Sequence, residues 1–194
     1  MDSWQSLKEA CHSCTYCGLC QTRHNVVFGI GNEGADLMLV GEGPGEQEDL
    51  QGIPFVGPAG QLLDDMLSII DVDRRSNCYI TNIVKCRPPR NRDPLETEQD
   101  ACIGYLRSQV ALVRPKVIVC LGRIAAKRLI DPEYRITRQH GQWVQRNGVW
   151  MTAIYHPSAL LRDVTKRPET FCDLLSIRDK LWEVSAQMAA PPEI

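Results

Sequence analysis

The sequence has no strong excess of either charge. Its 22 lysines and arginines against 24 aspartates and glutamates leave a formal net charge of −2 across 194 residues. Contact with a polyanion must therefore come from a local basic patch, not from the overall field. No apolar run approaches the roughly 20 residues needed to cross a bilayer. The start, Met1 to Glu9, is polar and lacks the apolar stretch of a secretory signal. There is no internal repeat, which excludes a solenoid, and no low-complexity segment. These absences lead us to expect a soluble, cytoplasmic protein. The length suits one domain over 1–194, with enough chain for a full hydrophobic core.

Cysteine, by contrast, is plentiful. Cys11, Cys14, Cys17 and Cys20 fall at strict three-residue intervals, and Cys86 and Cys102 lie beside arginine- and proline-rich sequence. The total of nine is odd, so complete internal pairing is excluded. In a reducing compartment, clustered thiols favour a metal over disulfides.

Along the chain, apolar runs alternate with helical periodicity. A short helix is expected from Asp2 to Ala10. Leu37 to Val40 reads as a buried strand ending in the glycine-rich turn Gly41-Glu42-Gly43-Pro44-Gly45. Ala59 to Ile70 carries apolar residues at helical spacing, and Tyr79 to Val84 is a second strand. Asp93, Pro94 and Glu96 read as N-cap, first helical residue and capping-box glutamate of a helix reaching about Val113. Val117 to Leu121 is a third strand, followed by a helix from Arg123 to Ile130. Asn147-Gly148 between apolar flanks predicts a hairpin whose second strand reaches Tyr155. A last helix runs from after Pro168 to about Ser185, with a frayed tail over 186–194. The class is α/β with a mainly parallel sheet. In such sheets ligands bind where strand ends meet loops. That singles out the loops Gly41 to Gly57, Asn82 to Asn91 and His156 to Arg162.

Those loops, with flanking sequence, carry Val26-Val27-Phe28-Gly29, Gly41 through Asp49, Gly52-Ile53-Pro54-Phe55-Val56-Gly57, Thr81 through Pro89, and His156-Pro157-Ser158-Ala159-Leu160-Leu161-Arg162. In order and spacing, over roughly residues 14 to 163, they resemble the family 4 uracil-DNA glycosylases, the iron–sulfur branch of that superfamily. The resemblance implies a three-layer α/β/α sandwich. It also implies a monofunctional enzyme of base-excision repair that hydrolyses the bond between uracil and deoxyribose; the alternatives are a DNA-binding or damage-sensing protein of the same fold with altered catalysis, and an iron–sulfur redox protein. Its partner would be uracil-containing DNA, single- or double-stranded.

The residues can be weighed against that chemistry, which must extrude the base, read its edge and stabilise the leaving anion. Phe55, in a Gly/Pro-bracketed loop, offers a stacking face for a pyrimidine; the plainer reading is a ring tucked onto the core. Asn82 ends a strand, and its amide offers one donor face and one acceptor, matching uracil O4 and N3–H; the plainer reading is an asparagine fixing its own loop. His156 would donate to uracil O2 as charge builds. Of Leu160 and Leu161, one is expected to wedge into DNA and the other to be core, with Arg162 on a phosphate. In the best-known branch of the superfamily an aspartate activates water where this chain has Gly43. Here Glu42, one residue earlier, is the candidate, with Asn91 as helper. The backbone of Gly41 to Gly45 would form a small anion nest. Lys85, Arg87, Arg90 and Arg92 form a candidate phosphate-binding patch.

The same resemblance puts a [4Fe-4S] cluster on Cys14, Cys17, Cys86 and Cys102, tying residues 1–25 to the basic loop in a structural role. Zinc is the alternative, since it too takes four thiolates. Cys11 and Cys20 are left over, as free thiols or alternative ligands. Cys78, Cys120 and Cys172 lie in apolar segments and are expected to be buried.

Overall fold

A computed structural model describes residues 3–189. Six strands form one sheet: β1 (Ile30–Gly31), β2 (Leu37–Gly41), β3 (Cys78–Asn82), β4 (Val117–Leu121), β5 (Val144–Arg146) and β6 (Val149–Ile154), in the order β1-β3-β2-β4-β6-β5. The four inner strands run parallel, and the short outer strands β1 and β5 pair antiparallel. Eight α-helices accompany them among the described residues: α1 (Trp4–His12), α2 (Glu46–Gln51), α3 (Pro58–Ser68), α4 (Glu96–Val113), α5 (Arg123–Leu129), α6 (Ile136–Gln139), α7 (Pro157–Arg162) and α8 (Arg167–Ala189).

Every residue of β2, β3 and β4 is buried, because both faces of the sheet are covered. The two-residue period sorts their side chains cleanly. Met38, Val40, Tyr79, Ile118, Cys120 and Met151 pack on one side with Leu7, Leu106 and Ala126 of α1, α4 and α5. Leu37, Leu39, Ile80, Val119 and Ile154 pack on the other with Leu63, Leu160 and Leu174 of α3, α7 and α8. The result is the expected three-layer α/β/α sandwich. Among the described residues no helix is long and apolar enough to cross a membrane.

Local chemistry shifts several boundaries. The first helix starts at Trp4, because Ser3 Oγ accepts the Ser6 N–H at 3.1 Å; Asp2 lies outside the described residues. α4 begins at Glu96, two residues later than expected. Asp93 is drawn away to Arg123, and Glu98, not Glu96, is the capping glutamate, its Oε2 accepting the Leu95 N–H at 2.8 Å. Asn147 and Gly148 both have positive φ, as a tight hairpin turn requires. The segment from His156 is a short helix rather than a loop. Pro157 takes the first helical position, where its missing N–H has no helical partner to lose, and the His156 ring accepts the Ser158 N–H, so a helix begins there. α8 extends to Ala189, beyond Ser185, and 190–194 of the expected tail lie outside the described residues.

Candidate active site

After β2 the chain builds β3 on one side and β4 on the other, so the sheet has a switch point at β2. Ligand crevices form at the carboxyl ends of strands at such points. The segments leaving β2, β3, β4 and β6 converge there on one cavity of about 560 Å³. Its lining includes Glu42, Phe55, Asn82, Asn91, Arg123 and His156. The volume suits a nucleobase with part of its backbone.

Phe55 and Asn82 face each other across Gly41. A Cβ at Gly41 would stand 2.3 Å from Asn82 Oδ1 and 2.7 Å from Phe55 Cζ, so only glycine permits this approach. Phe55 is buried and holds φ +55°, a conformation side chains rarely adopt. Its loop is fastened from two directions. Arg74 donates to the Phe55 carbonyl at 2.9 Å, and Glu48 Oε1 accepts the Val56 and Gly57 N–H groups at 2.9 and 3.0 Å. Asn82 Oδ1 is buried and, among the described residues, has no hydrogen-bond partner. A buried amide oxygen left this way is costly unless a ligand satisfies it.

The His156 ring lies 5.7 Å from that of Phe55. Its Nδ1 accepts the Ser158 backbone N–H at 3.1 Å, so the proton of the neutral ring sits on Nε2. Burial, helped by the Arg162 cation, pulls its pKa down to about 4. The imidazole is therefore a neutral donor at physiological pH. Glu42 is shifted the other way, up to about 7, first by burial and then by the Asp93 carboxylate, with Arg123 opposing. Asn91, at φ +56°, is oriented by Arg87, whose Nε donates to its Oδ1 at 2.7 Å.

The basic patch needs correction. Lys85 is 1% exposed and faces inward, bonded to Thr81, Asn82 and Gln109, so it cannot meet a phosphate. Arg92 is held by Glu98 in two hydrogen bonds of 2.6 and 2.8 Å. Arg90 is exposed, and Arg87 bridges Asn91 and Glu46. On α7 the helical turn separates the two leucines. Leu160 is 1% exposed and belongs to the core, which removes it as a DNA contact, whereas Leu161 is 43% exposed beside the exposed Arg162.

Glu48, Arg74, Asp93, Arg123 and Ser158 support the site without being singled out for it by the sequence, where Asp93 reads as a helix cap. Ser158 stands at the second helical position of α7, where its backbone N–H is capped by the His156 ring. The ion pairs Arg74–Asp64 and Arg123–Asp93 join distant segments and leave no local signal.

The thiols gather elsewhere. Cys11, Cys14, Cys17, Cys20, Cys86 and Cys102 all line one pocket, walled by Leu19, Val84 and Tyr105. Cys11 and Cys20 are thus not set apart from the other four. Burial pushes the Cys86 thiol up to about 11, and Arg23 Nη1, donating to its Sγ at 3.2 Å, pulls the other way, toward the thiolate. Among the described residues no three Cys, His, Asp or Glu side chains already form a group closed around a single ion. Cys78 and Cys120 are fully buried, as expected, but Cys172 is exposed, because α8 turns that side outward.

Comparison with known proteins agrees with this geometry. Residues 28–177 match the model of the uracil DNA glycosylase superfamily. A type-4 uracil-DNA glycosylase of Archaeoglobus fulgidus is 46% identical over 185 residues, covering 91% of this chain and 92% of the relative. Another from Sulfurisphaera tokodaii is 42% identical, covering 92% and 85% respectively, and one from Thermotoga maritima is 44% identical, covering 81% and 82%. With similarity of this depth along nearly the whole chain, and with a cavity built from the segments that match, the chain belongs to the type-4 branch of the uracil-DNA glycosylase superfamily.

Proposed function

We propose that this protein removes uracil from DNA through one cavity in which Phe55 stacks, Asn82 reads and His156 stabilises. The excision of uracil, leaving an abasic site for base-excision repair, is the activity of its family. The observation that carries the assignment of roles is the buried, unpartnered Asn82 Oδ1. Uracil N3–H satisfies it, while the amide NH₂ donates to O4. Cytosine offers the reverse pattern and leaves two buried groups unpaired, a penalty that discriminates strongly. Phe55, at the cavity wall, supplies the stacking face, worth ~1–3 kcal/mol per base.

As the glycosidic bond lengthens, negative charge moves onto the base and the sugar becomes oxocarbenium-like. His156 Nε2–H donates to uracil O2 and carries part of that charge. One such donor contributes on the order of 10²–10³ in rate. Glu42, assisted by Asn91, orients the water that attacks the sugar. The backbone of Gly41 to Gly45 offers N–H groups to uracil or phosphate oxygens. Arg87, Arg90 and Arg162 bind phosphates, and Leu161 fills the gap left by the flipped base. The substrate is uracil-containing DNA inside the cell, single- or double-stranded.

The six-thiol pocket suits an iron–sulfur centre. We assign a [4Fe-4S] cluster to Cys14, Cys17, Cys86 and Cys102, with zinc as the competitor. A cluster takes one thiolate at each corner, so thiols lining a pocket fit it better than a single ion, whose ligands meet at one point. When bound, it supplies a structural cross-link and no chemistry in the cleavage. Cys86 lies one residue from Arg87, so the cross-link steadies the loop that meets DNA.

The test is incubation of the purified protein with a uracil-containing oligonucleotide, followed by alkali. Strand cleavage at uracil is expected, and its absence from a folded preparation would overturn the reading. Asn82→Asp should admit cytosine; a variant that remains blind to cytosine yet active on uracil would remove Asn82 from base reading.

A further inference from the structure

Lys85 is almost fully buried, at 1% exposure, and has no role in the chemistry above. Its Nζ donates to Thr81 Oγ1 at 2.6 Å, to the Asn82 carbonyl at 2.7 Å and to Gln109 Oε1 at 2.7 Å. All three acceptors are neutral, and among the described residues Lys85 pairs with no carboxylate. Burying an ammonium is unfavourable, and a methionine would fill similar volume without that cost. What methionine lacks is three donors converging from one atom.

Those donors meet the chain at a decisive place. Asn82 is the last residue of β3, its carbonyl accepts from the Lys85 ammonium, and its side chain is the proposed reader of the base. Gln109 belongs to α4, the helix that also carries Cys102. Its amide nitrogen donates in turn to the Phe28 carbonyl at 2.8 Å, which also accepts from Thr81 Oγ1 at 2.9 Å. The Lys85 carbonyl accepts the Val27 N–H at 2.8 Å. Lys85 itself lines the six-thiol pocket. Removing the ammonium would leave three buried acceptors short of a donor at the root of Asn82.

We propose that Lys85 is a positioning residue: its ammonium fixes the Asn82 backbone so that the amide meets uracil in register, and it ties that amide to the helix of the cysteine pocket. The proposal rests on Asn82 reading the base. Lys85 touches neither substrate nor reacting atoms.

The test compares two affinities in the full-length protein, for free uracil and for a duplex carrying a tetrahydrofuran abasic-site analogue. Only the first depends on the Asn82 amide. In Lys85→Met, uracil affinity should fall roughly tenfold or more while affinity for the abasic duplex changes less than about twofold. Gln109→Leu keeps the ammonium but removes its anchor on α4, and should weaken uracil selectively by about threefold; it carries the same test if Lys85→Met does not fold. Parallel loss of both affinities in the folded variants would make Lys85 merely structural, and unchanged uracil affinity would remove it from base reading; either result overturns the inference. Wild-type protein that cleaves at uracil while both variants bind uracil normally refutes this inference alone. Wild-type protein that neither binds nor cleaves refutes the function on which it rests.

Discussion

Glu42→Gln should make the protein slower and more stable at once. Burial and the Asp93 carboxylate lift the Glu42 pKa from the ordinary 4.5 to about 7, against the opposing pull of Arg123. A carboxyl whose pKa rises on folding is disfavoured in its charged form. Its effect on stability is absent below pH 4.5, where folded and unfolded chains are both protonated. The cost then grows as pH rises through about 7 and stays at its full value above. That cost is at most about 3 kcal/mol, less because water still reaches part of the side chain. Glutamine keeps the shape and has no charge to disfavour. The variant should therefore gain stability over wild type at pH 8 and nothing at pH 4.5, measured by urea unfolding. Meanwhile kcat/KM should drop on the order of 10²-fold, the share of a positioned base. In the wild type, activity should fall about tenfold per pH unit below pH 7, a limb that the glutamine variant lacks. Equal stability of the two proteins at pH 8, or an unchanged acid limb in the variant, would refute the argument that a buried, proton-hungry Glu42 works on the water.

Other outcomes follow from the same geometry. His156→Ala should lower kcat about 10²–10³-fold with DNA affinity unchanged in a fluorescence titration. Because its pKa falls from 6.5 to about 4, His156 adds no limb to the rate profile above pH 5, and it withdraws stability only as pH drops through that interval. Leu161→Ala should slow excision from duplex by about tenfold but spare single strands, where no gap needs filling, and leave stability within about 0.5 kcal/mol. Cys102→Ser should lose bound iron and melt at lower temperature, whereas Cys172→Ser, on the exposed side of α8, should keep both; iron content and a thermal melt decide.

Much of this was legible in sequence because it is local. The buried runs of β2 and β4 each end at a glycine, Gly41 and Gly122, and Asn82 closes the strand between its apolar run and the next loop. The misreadings share one cause. Lys85 stands in a stretch of arginines and looks like one of them. What turns it inward is Gln109, 24 positions away, an acceptor no window of sequence connects to it. Asp93 looked like a cap because its partner, Arg123, lies 30 residues on, and Glu98 takes the cap instead. Pro157 stands at a first helical position like the one expected of Pro94, but the cap that completes the start is a histidine ring accepting the Ser158 N–H, which is not among the usual capping residues. Leu160 and Leu161 are equivalent in composition, and only the phase of a single turn decides which meets solvent. The three-residue beat of cysteines hid its own outcome: its four thiols and the two distant ones share a pocket, a convergence that needs α1 and α4 to be packed together.

Phe55 carries a consequence for timing. Its left-handed backbone, clamped by Arg74 and Glu48, costs on the order of 1–3 kcal/mol. That cost is met once, when the chain folds, and is never charged to an individual encounter with DNA. A base leaving the duplex has already lost its stacking neighbours, and its lifetime outside the helix is short. A ring that had first to swing into place would often arrive too late. In the stacking role proposed for Phe55, a face held ready beforehand would let capture depend on the base's motion alone.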